Sequence, residues 1–355
     1  MSERHPSHLW PGAPLALGAA ALFGITAPAS KLLIDWVYPQ MLAGLLYLGA
    51  GIGLAAVHLG RGALGVPAPE ASLKPADLPW LAAVVLFGGV LGPFFLMVGL
   101  AWTDASSASL MLNLEGLATM AIAWIVFREN VDRRLLLGAL SILAGAVVLS
   151  WHGGGLSMYN GAVFVVAACL SWGIDNNLTR KLSAADPVVI AMIKGLVAGA
   201  VNTGIALANG ATLPAPATLL AAGLLGFLSI GVSLVLFIRA LRHLGTARTG
   251  AYFSLAPFVG AVVAILVLHE PPTATLLVAG ILMGFGLWLH LAERHQHGHR
   301  HEALDHDHSH RHDDGHHDHH HDGPVSEPHA HRHRHRRMWH SHIHYPDLHH
   351  RHSHD

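Results

Sequence analysis

Long apolar stretches constrain the fold of this chain more than any single motif does. Ten runs of mostly apolar residues follow one another between residues 14 and 291, and each has about the 20 residues that a helix needs to cross the hydrocarbon core of a bilayer. No run has the polar face that a helix in water requires, so we predict an all-α polytopic membrane protein. The predicted spans are residues 14–33, 38–58, 79–101, 105–127, 134–150, 158–180, 187–208, 217–240, 247–268 and 273–291.

The connections between the spans differ in charge. With residue 1 in the cytoplasm, the inner connections and their flanks are rich in Lys and Arg, whereas the outer connections carry none and Lys31 lies at an outer helix end. Cytoplasmic loops are the ones enriched in these residues, so both termini are predicted to be cytoplasmic in a multi-pass protein of the cell (inner) membrane. The inner residues are Arg61, Lys74, Arg128, Arg133, Arg134, Arg180, Lys181, Arg239, Arg242 and Arg248.

An internal repeat divides the apolar region. Phe23-Gly24 in the first span matches Trp172-Gly173 in the sixth. The repeated unit has five spans, and an odd number inserts the second copy upside down, as in many alternating-access transporters. We therefore predict two inverted five-helix repeats between two cytoplasmic ends. The divisions are a short N-terminus 1–13, a first repeat 14–150, a second repeat 158–291 and a His-rich tail 292–355.

The chain resembles the drug/metabolite transporter (DMT) superfamily, in its ten-helix EamA-type branch, over about residues 12–291. The resemblance implies two inverted five-helix halves around a central cavity, with spans 5 and 10 at the periphery, and export of amino acids, other metabolites or drugs. Such proteins often carry an Arg in span 2, where this chain reads Leu45-Leu46-Tyr47-Leu48. The residues that carry the resemblance are Phe23, Gly24, Lys31, Glu129, Pro257 and Glu270.

Glu115 is the first candidate for the transport chemistry. It lies near the middle of the fourth span, where a charge costs about 2.5–3.5 kcal/mol on insertion scales. Helical spacing places Met111 and Ala118 on the same face. Two interpretations remain open, a proton-coupling or substrate-amine site and a neutral carboxyl that is hydrogen-bonded to a neighbouring helix.

The sixth span carries a polar stripe that faces either a cavity or another helix. Its members are Trp172, Asp175, Asn176 and Thr179. Asp175 lies about five residues from the inner end of its span and Lys194 about seven, so at about 1.5 Å per residue their depths agree within about 3 Å. We predict an Asp175–Lys194 ion pair, which either holds two helices together or forms an inner gate that breaks during transport.

The ninth span offers Thr249, Tyr252 and Phe253 on one face, and the two aromatic rings either wall the cavity or simply pack. Pro257 follows and predicts a bend, because proline lacks a backbone donor. Glu129 and Glu270 lie at span ends, within reach of an Arg or a helix N-terminus. We interpret these residues as structural, together with Lys31 and Pro257.

Histidine dominates the tail. The chain has 31 histidines, of which 24 lie in the last 61 residues. Imidazole suits Zn, Ni and Co, while the polar, low-complexity sequence predicts disorder without metal. No cofactor is expected to be required, and the tail is either a metal-binding segment or a merely solvated one. The candidate metal ligands are His295, His297, His299, His301, His306, His308, His310, His312, His316, His317, His319, His320, His321, His329, His331, His333, His335, His340, His342 and His344.

Three functions remain open. The body favours a secondary transporter that exports small organic solutes, because a bare metal ion would need a tighter His/Asp cluster within the spans. The alternatives are a divalent metal exporter loaded by the tail, and a membrane-anchored metal store or sensor. No nucleotide-binding loop or His-Glu-x-x-His pair is present, so we predict no enzyme. The expected partners are the lipid bilayer, a small-molecule substrate and divalent metal ions, with a homodimer as an option and no nucleic acid.

Overall fold

A computed structural model describes residues 12–65, 73–127, 133–150, 160–179, 182, 186–244, 246–291, 296–301, 305–310, 329–334 and 338–343. In these residues, eight helical segments are long and apolar enough to cross a membrane, and two shorter apolar helices follow, Ala256–Val267 and Ala274–His290. The prediction of a polytopic helical membrane protein is confirmed. The eight segments are Gly12–Ile34, Pro39–Ala63, Pro75–Trp102, Ala105–Val126, Arg133–Ser150, Gly161–Thr179, Val188–Ala208 and Pro216–Ala240.

Several of these segments consist of more than one helix. Two contain a wider π-helical stretch, Val85–Leu91 within Pro75–Trp102 and Phe227–Val232 within Pro216–Ala240. The helices are α1 (Gly12–Gly24), α2 (Thr26–Ile34), α3 (Pro39–Ala63), α4 (Leu78–Val84), α5 (Gly92–Trp102), α6 (Ala105–Met111), α7 (Leu114–Phe127), α8 (Arg133–Ser150), α9 (Asn160–Thr179), α10 (Pro187–Ala208), α11 (Pro216–Gly226), α12 (Ser233–Leu244), α13 (Thr246–Phe253), α14 (Ala256–Val267) and α15 (Ala274–Leu291).

The fourth predicted span is present as one apolar segment, Ala105–Val126, but its helix is interrupted. The break lies at Leu112 and Asn113, between α6 and α7. Asn113 Nδ2 donates to Leu110 O at 2.8 Å, and a side chain that bonds the nearby backbone competes with helix continuation. Cys169 Sγ, 3.6 Å from Met111 O, offers a weak donor to another carbonyl at this break. The bonds at the break therefore come from side chains as well as from the backbone.

The ninth predicted span is also divided, by a turn at Ser254 and Leu255 between α13 and α14. Pro257 stands in the first turn of α14, where its missing N–H leaves no helix bond unmade. Pro257 predicts a bend, and the structure has a turn directly before the helix that contains it.

Glycine allows α3 and α10 to pack backbone against backbone. A Cβ on Gly51 would lie 2.5 Å from Leu196 N, and one on Gly195 would lie 2.7 Å from the Gly51 Cα. Small residues let helices in lipid approach closely and gain dispersion contacts. This pair links the two halves of the chain beside the centre of the bundle.

The helices α8 and α15 pack along each other at the edge of the bundle. Ser141 Oγ donates to Leu282 O at 2.7 Å, and His290 Nε2 lies 3.0 Å from Leu135 O. Their other faces expose apolar side chains such as Ile281, which is 72% exposed. In a protein that spans a bilayer, such a face is suited to lipid contact.

The tail contains four short strands, β1 (Gln296–His301), β2 (Asp305–His310), β3 (His329–Arg334) and β4 (Met338–Ile343). β1 pairs antiparallel with β4, and β2 with β3. The prediction of a disordered tail is wrong for these segments. Their polarity favours disorder, whereas histidine at every second position also has the period of two that a strand requires.

Candidate substrate cavity

A central cavity of about 490 Å³ lies between helices from both halves of the chain. Pockets that hold small organic molecules have volumes of roughly 300–1,000 Å³. No described residue of α8 or α15 lines it, as the resemblance implied for spans 5 and 10. The wall is mostly apolar, and its polar or charged residues are Thr26, Tyr47, Glu115, Thr119, Trp172, Asp175, Asn176, Lys194 and Ser233.

Glu115 presents a carboxylate to this cavity from the first turn of α7. Asn176 Nδ2 on α9 donates to Glu115 Oε1 at 3.0 Å and lies 3.2 Å from Thr119 Oγ1. In the described part of the chain, no ion pair joins Glu115 to a Lys or Arg. A carboxylate held by a neutral amide can bind a proton or an ammonium group without first giving up a cation.

Asp175 and Lys194 form the predicted ion pair. Lys194 Nζ lies 2.5 Å from Asp175 Oδ2, and both side chains line the cavity. Thr179 Oγ1 donates to the other carboxylate oxygen at 3.3 Å. The two side chains are only 18% and 7% exposed, so each charge depends on the other for compensation.

The π-helical stretch before α5 brings bare backbone against this pair. A Cβ on Gly88 would overlap the Asp175 carboxylate and Lys194 Nζ. The Gly92 N–H bonds to Phe87 O, and Pro93 has no N–H to offer. The Gly88 carbonyl is instead bonded by side chains, as described next.

Two aromatic side chains donate to the carbonyl oxygen of Gly88. The Tyr47 hydroxyl donates at 2.9 Å and Trp172 Nε1 at 3.0 Å. These bonds satisfy a buried acceptor that would otherwise cost about 1–3 kcal/mol. Tyr47, Trp172 and the ion pair are thereby fixed around a single backbone position.

Three phenylalanine rings form an apolar part of the wall. Phe253 lies between Phe23, at a centroid distance of 5.3 Å, and Phe237, at 4.9 Å. The interpretation of Phe253 as a cavity residue is therefore supported. Tyr252 is not among the residues that line the cavity and packs against Ala16 and Ala240, which is the packing alternative for this ring.

The connection between α5 and α6, at residues 103–104, lies at one end of the bundle, which we call the Lys31 end. Lys31 Nζ donates to Leu100 O at 2.5 Å and to Thr103 O at 3.0 Å, at the last turn of α5. A cation is favourable there because the carbonyl end of a helix carries partial negative charge.

Glu270 binds the other side of the same connection. Its two carboxylate oxygens accept the N–H groups of Ala105 and Ser106 at 2.7 and 2.8 Å, at the first turn of α6. His269 precedes it with φ of 56°, a left-handed conformation uncommon outside glycine. The prediction that Glu270 lies within reach of a helix N-terminus is confirmed.

Some predicted site residues lie elsewhere. Met111 is buried and does not line the cavity, and the break at Leu112 and Asn113 separates it from the helix that carries Glu115. Thr179 touches Asp175 without lining the cavity, and Thr249 is fully buried. Glu129 lies outside the described residues.

The tail histidines are divided in the same way. Eleven of the candidate ligands lie in described strands, and the others, His295, His312, His316, His317, His319, His320, His321, His335 and His344, lie outside the described residues. In the part of the chain that the structure describes, no group of three or more His, Cys, Asp or Glu residues is placed to hold a metal ion.

Tyr47, Gly88 and Phe237 are parts of the site that the sequence pattern does not predict. Pro93, inside an apolar run, was a usable signal for the irregular backbone at Gly88. Tyr47 and Phe237 gave no signal beyond their type, since only the rotation of α3 and α12 turns them to the cavity.

This geometry defines a class of protein, a multi-pass helical membrane protein with a central cavity for a small molecule. The model of the EamA-like transporter family matches residues 10–151 and again residues 159–292. The two matches cover most of the chain, and the chain belongs to the EamA-like transporter family.

Similar proteins agree with this membership. A transporter of uncharacterized function from Methanothermobacter thermautotrophicus is 30% identical over 76% of this chain and 83% of its own length. A probable terminal-alkyne amino-acid exporter from Streptantibioticus cattleyicolor is 28% identical over 74% of this chain and 87% of its own length. A solved crystal structure shares the fold, with a TM-score of 0.58 at 20% identity over 79% of this chain and 96% of that one.

Proposed function

We propose that the chain is a secondary transporter that exports a small organic solute, such as an amino acid, another metabolite or a drug, across the cytoplasmic membrane. The observation that carries the proposal is the central cavity of about 490 Å³, which combines an apolar wall with Glu115 and the Asp175–Lys194 pair. The similar protein named as a probable amino-acid exporter supports this solute class.

Glu115 is the proposed coupling or substrate-binding residue. Its partner Asn176 is neutral, so a proton or a substrate ammonium group can occupy the carboxylate in turn. The ion pair nearby then has a different task. Because its two charges compensate each other, it can close the cavity as a gate and open without leaving a net charge in the site.

Ten spans in two inverted five-helix repeats, with both termini in the cytoplasm, are the proposed topology. Matching irregularities support the repeat, since Val85–Leu91 and Phe227–Val232 are both π-helical. The matched Phe23-Gly24 and Trp172-Gly173 support it further. A Cβ on Gly24 would lie 3.0 Å from Val259 Cβ in α14, and one on Gly173 would lie 2.7 Å from Ala118 Cβ in α7.

With this topology, the Lys31 end is the outer face, and the state described is closed there. Lys31 and Glu270 hold the α5–α6 connection from two other parts of the chain. The cavity residues of α10, which are Ala191, Lys194 and Gly195, lie in the half of that helix that begins at its inner end, Pro187. An inward-facing transporter has this distribution of packing.

The tail is proposed to bind divalent Zn, Ni or Co as an accessory to transport. No observation in the described spans favours the metal exporter, because the cavity has one ion pair and a single further carboxylate among its lining residues. A metal path needs several imidazole, thiolate or carboxylate ligands close together.

A transport assay with purified protein in proteoliposomes tests the proposal. A panel of organic solutes is compared with Zn²⁺ and Ni²⁺, using the full chain, a chain lacking residues 295–355, and Glu115→Gln. We expect an organic solute to be moved with or without the tail, and Glu115→Gln to lose about tenfold or more of that flux, a loss worth about 1.4 kcal/mol. Asp35→Asn, which removes an exposed acid outside the cavity, is the matched control.

Two results would contradict the proposal. Metal flux that disappears with the tail, together with no organic flux, would establish the metal exporter. No flux of any kind in an intact, folded preparation would favour the metal store or sensor. If organic solutes are moved but Glu115→Gln behaves like the control, the transporter stands and the role of Glu115 is wrong.

A further inference from the structure

The wall of the central cavity carries more negative than positive charge. Its charged residues, among those that the structure describes, are Glu115, Asp175 and Lys194. Lys194 Nζ lies 2.5 Å from Asp175 Oδ2, so these two charges compensate each other. Glu115 is bonded to the neutral amide of Asn176, and no described Lys or Arg forms an ion pair with it. When Glu115 is ionised, a solute in the cavity therefore meets one uncompensated negative charge.

The cavity offers little to a solute that carries a carboxylate. Apart from Thr26, the neutral side-chain donors in the described wall already donate to oxygens of the protein. They are Tyr47, Thr119, Trp172, Asn176 and Ser233. Lys194 is held by Asp175, so a solute carboxylate beside Lys194 would bring a second anion next to Asp175. Like charges placed side by side are strongly unfavourable in a site of this kind.

The Thr26 hydroxyl is available to a solute. Thr26 is the first residue of α2, lines the cavity and is only 7% exposed. Its Oγ1 has no hydrogen-bond partner among the described residues, whereas buried polar groups are normally bonded. A hydroxyl oxygen accepts hydrogen bonds from ammonium groups as well as donating its own. Thr26 thus indicates, independently of Glu115, that a hydrogen-bonding ligand belongs in this cavity.

Aromatic rings line the same cavity. Phe253 lies between Phe23 and Phe237, and all three residues contribute to the wall. An aromatic ring buries apolar groups, and the negative partial charge on its faces attracts ammonium groups. The rings therefore suit a solute that combines an apolar body with a positive charge.

We propose that the transported solute is an organic monocation, an amine with an apolar body and no carboxylate, in preference to a zwitterionic amino acid. Glu115 holds the ammonium group, the Thr26 hydroxyl accepts a hydrogen bond from the solute, and the phenylalanine rings contact its apolar body. This inference rests on the proposed function and narrows its solute class. Rejection of acids follows from the Asp175–Lys194 pair, which leaves no described cation of the wall free for a carboxylate.

A set of solutes with one phenyl ring in common tests this specificity. Phenethylamine is a cation, phenylalanine a zwitterion and 3-phenylpropionate an anion, while phenylalaninamide differs from phenylalanine in having no carboxylate. Binding to the purified full-length protein is measured by calorimetry below the pKa of both amines, and flux is measured in proteoliposomes against protein-free vesicles. We expect both amines to bind more than about tenfold tighter than phenylalanine, because the carboxylate is repelled, and 3-phenylpropionate not to bind.

Two cavity variants test the residues that hold the amine. Glu115→Gln should weaken phenethylamine binding by more than about tenfold, because it removes the anionic partner of a buried charge. Binding separates this role from proton coupling, which would affect flux alone. Thr26→Val keeps the shape of the side chain and should weaken binding about fivefold, as for one lost hydrogen bond. Asp35→Asn and Thr212→Val, at exposed positions outside the cavity, are the matched controls and should bind like the parent.

The contrary outcomes are distinct from failure of the proposed function. If phenylalanine or 3-phenylpropionate binds as tightly as phenethylamine, or if none of the set binds to a preparation that moves another organic solute, the amine specificity is wrong and organic transport stands. If Glu115→Gln binds phenethylamine like the parent, Glu115 is not the ammonium site and the charge argument is wrong. If the amines bind with the expected preference but no organic solute is moved, the cavity specificity stands and the proposed transport is wrong.

Discussion

The Lys31 end and the cavity hold their charged groups in different ways. At the Lys31 end, each charge is bonded to backbone at a helix terminus, Lys31 to carbonyls of α5 and Glu270 to N–H groups of α6. In the cavity, Asp175 and Lys194 are bonded to each other, and Glu115 is bonded to a neutral amide.

This difference determines how well each region tolerates the loss of a charged side chain. A helix terminus that loses a capping charge can be satisfied by water, because it lies near a connection between helices. A cavity ion that loses its counterion stays buried and unpaired, which typically costs about 3–5 kcal/mol. Substitutions in the cavity should therefore have larger effects than substitutions at the Lys31 end.

Charge reversal in the cavity should give the largest effect. Asp175→Lys and Lys194→Asp each place two like charges side by side, so we expect each to reduce transport by more than about tenfold and to destabilise the fold by about 3 kcal/mol. The combined exchange restores opposite charges and should recover most of the flux. Flux in proteoliposomes and the midpoint of thermal unfolding are the two measurements.

Thr179→Val is the matched control, since it removes the hydrogen bond to Asp175 Oδ1 without changing charge. Its effect should stay within a few-fold, as for a single neutral hydrogen bond worth about 1 kcal/mol. A combined exchange that folds as stably as the parent yet does not transport would mean that the pair's polarity, and not pairing alone, matters. That result would exclude a gate that depends only on the pairing of two opposite charges.

Sequence reasoning reached this ion pair because depth follows directly from counting. Asp175 and Lys194 are charges within apolar runs, and the rise per helical residue converts their positions into depth. The same reasoning failed for Met111, because Asn113 breaks the helix through a hydrogen bond that spacing alone does not reveal. The contacts of Phe253 with Phe23 and Phe237 depend on helix rotation across the whole chain, which no local pattern contains.

The Lys31 end shows an intermediate case. Glu270 was expected near a helix N-terminus, but the sequence does not identify α6 as the helix that it caps. The tail shows the opposite case. Its alternating histidines have a strand period that was readable, yet the pairing of segments as distant as β2 and β3 is not contained in any local pattern.

Glu270→Gln should have the next largest effect. The amide keeps the shape of the side chain but loses the charge that favours the first turn of α6, which is worth about 1 kcal/mol. We expect the Lys31 end to open about fivefold more often, measured as faster labelling of Ala108→Cys, in a Cys169→Ser background, by a hydrophilic maleimide. Ala108 lies fully buried in α6, so it reports opening there.

Asp104→Asn is the control for this measurement. Asp104 is an exposed acid beside the same helix start, but its side chain makes no capping hydrogen bond there. Its loss should leave the labelling rate unchanged. Equal acceleration by both variants would show that the net charge of the connection, and not the Glu270 cap, keeps the Lys31 end closed.

Lys31→Met should have the smallest effect of the three, because the carbonyls of Leu100 and Thr103 are at a helix end and can turn to water. We expect the same labelling rate to rise about twofold, corresponding to a loss of roughly 0.4 kcal/mol at a helix terminus.

The combined Lys31→Met and Glu270→Gln variant tests whether the two contacts at the Lys31 end act together. If both side chains hold one connection as a unit, loss of either contact makes the other contact easier to lose. The free-energy changes of the two substitutions then do not add. Additive changes would mean that α5 and α6 are held separately, and the Lys31 end would consist of two independent caps instead of one closure.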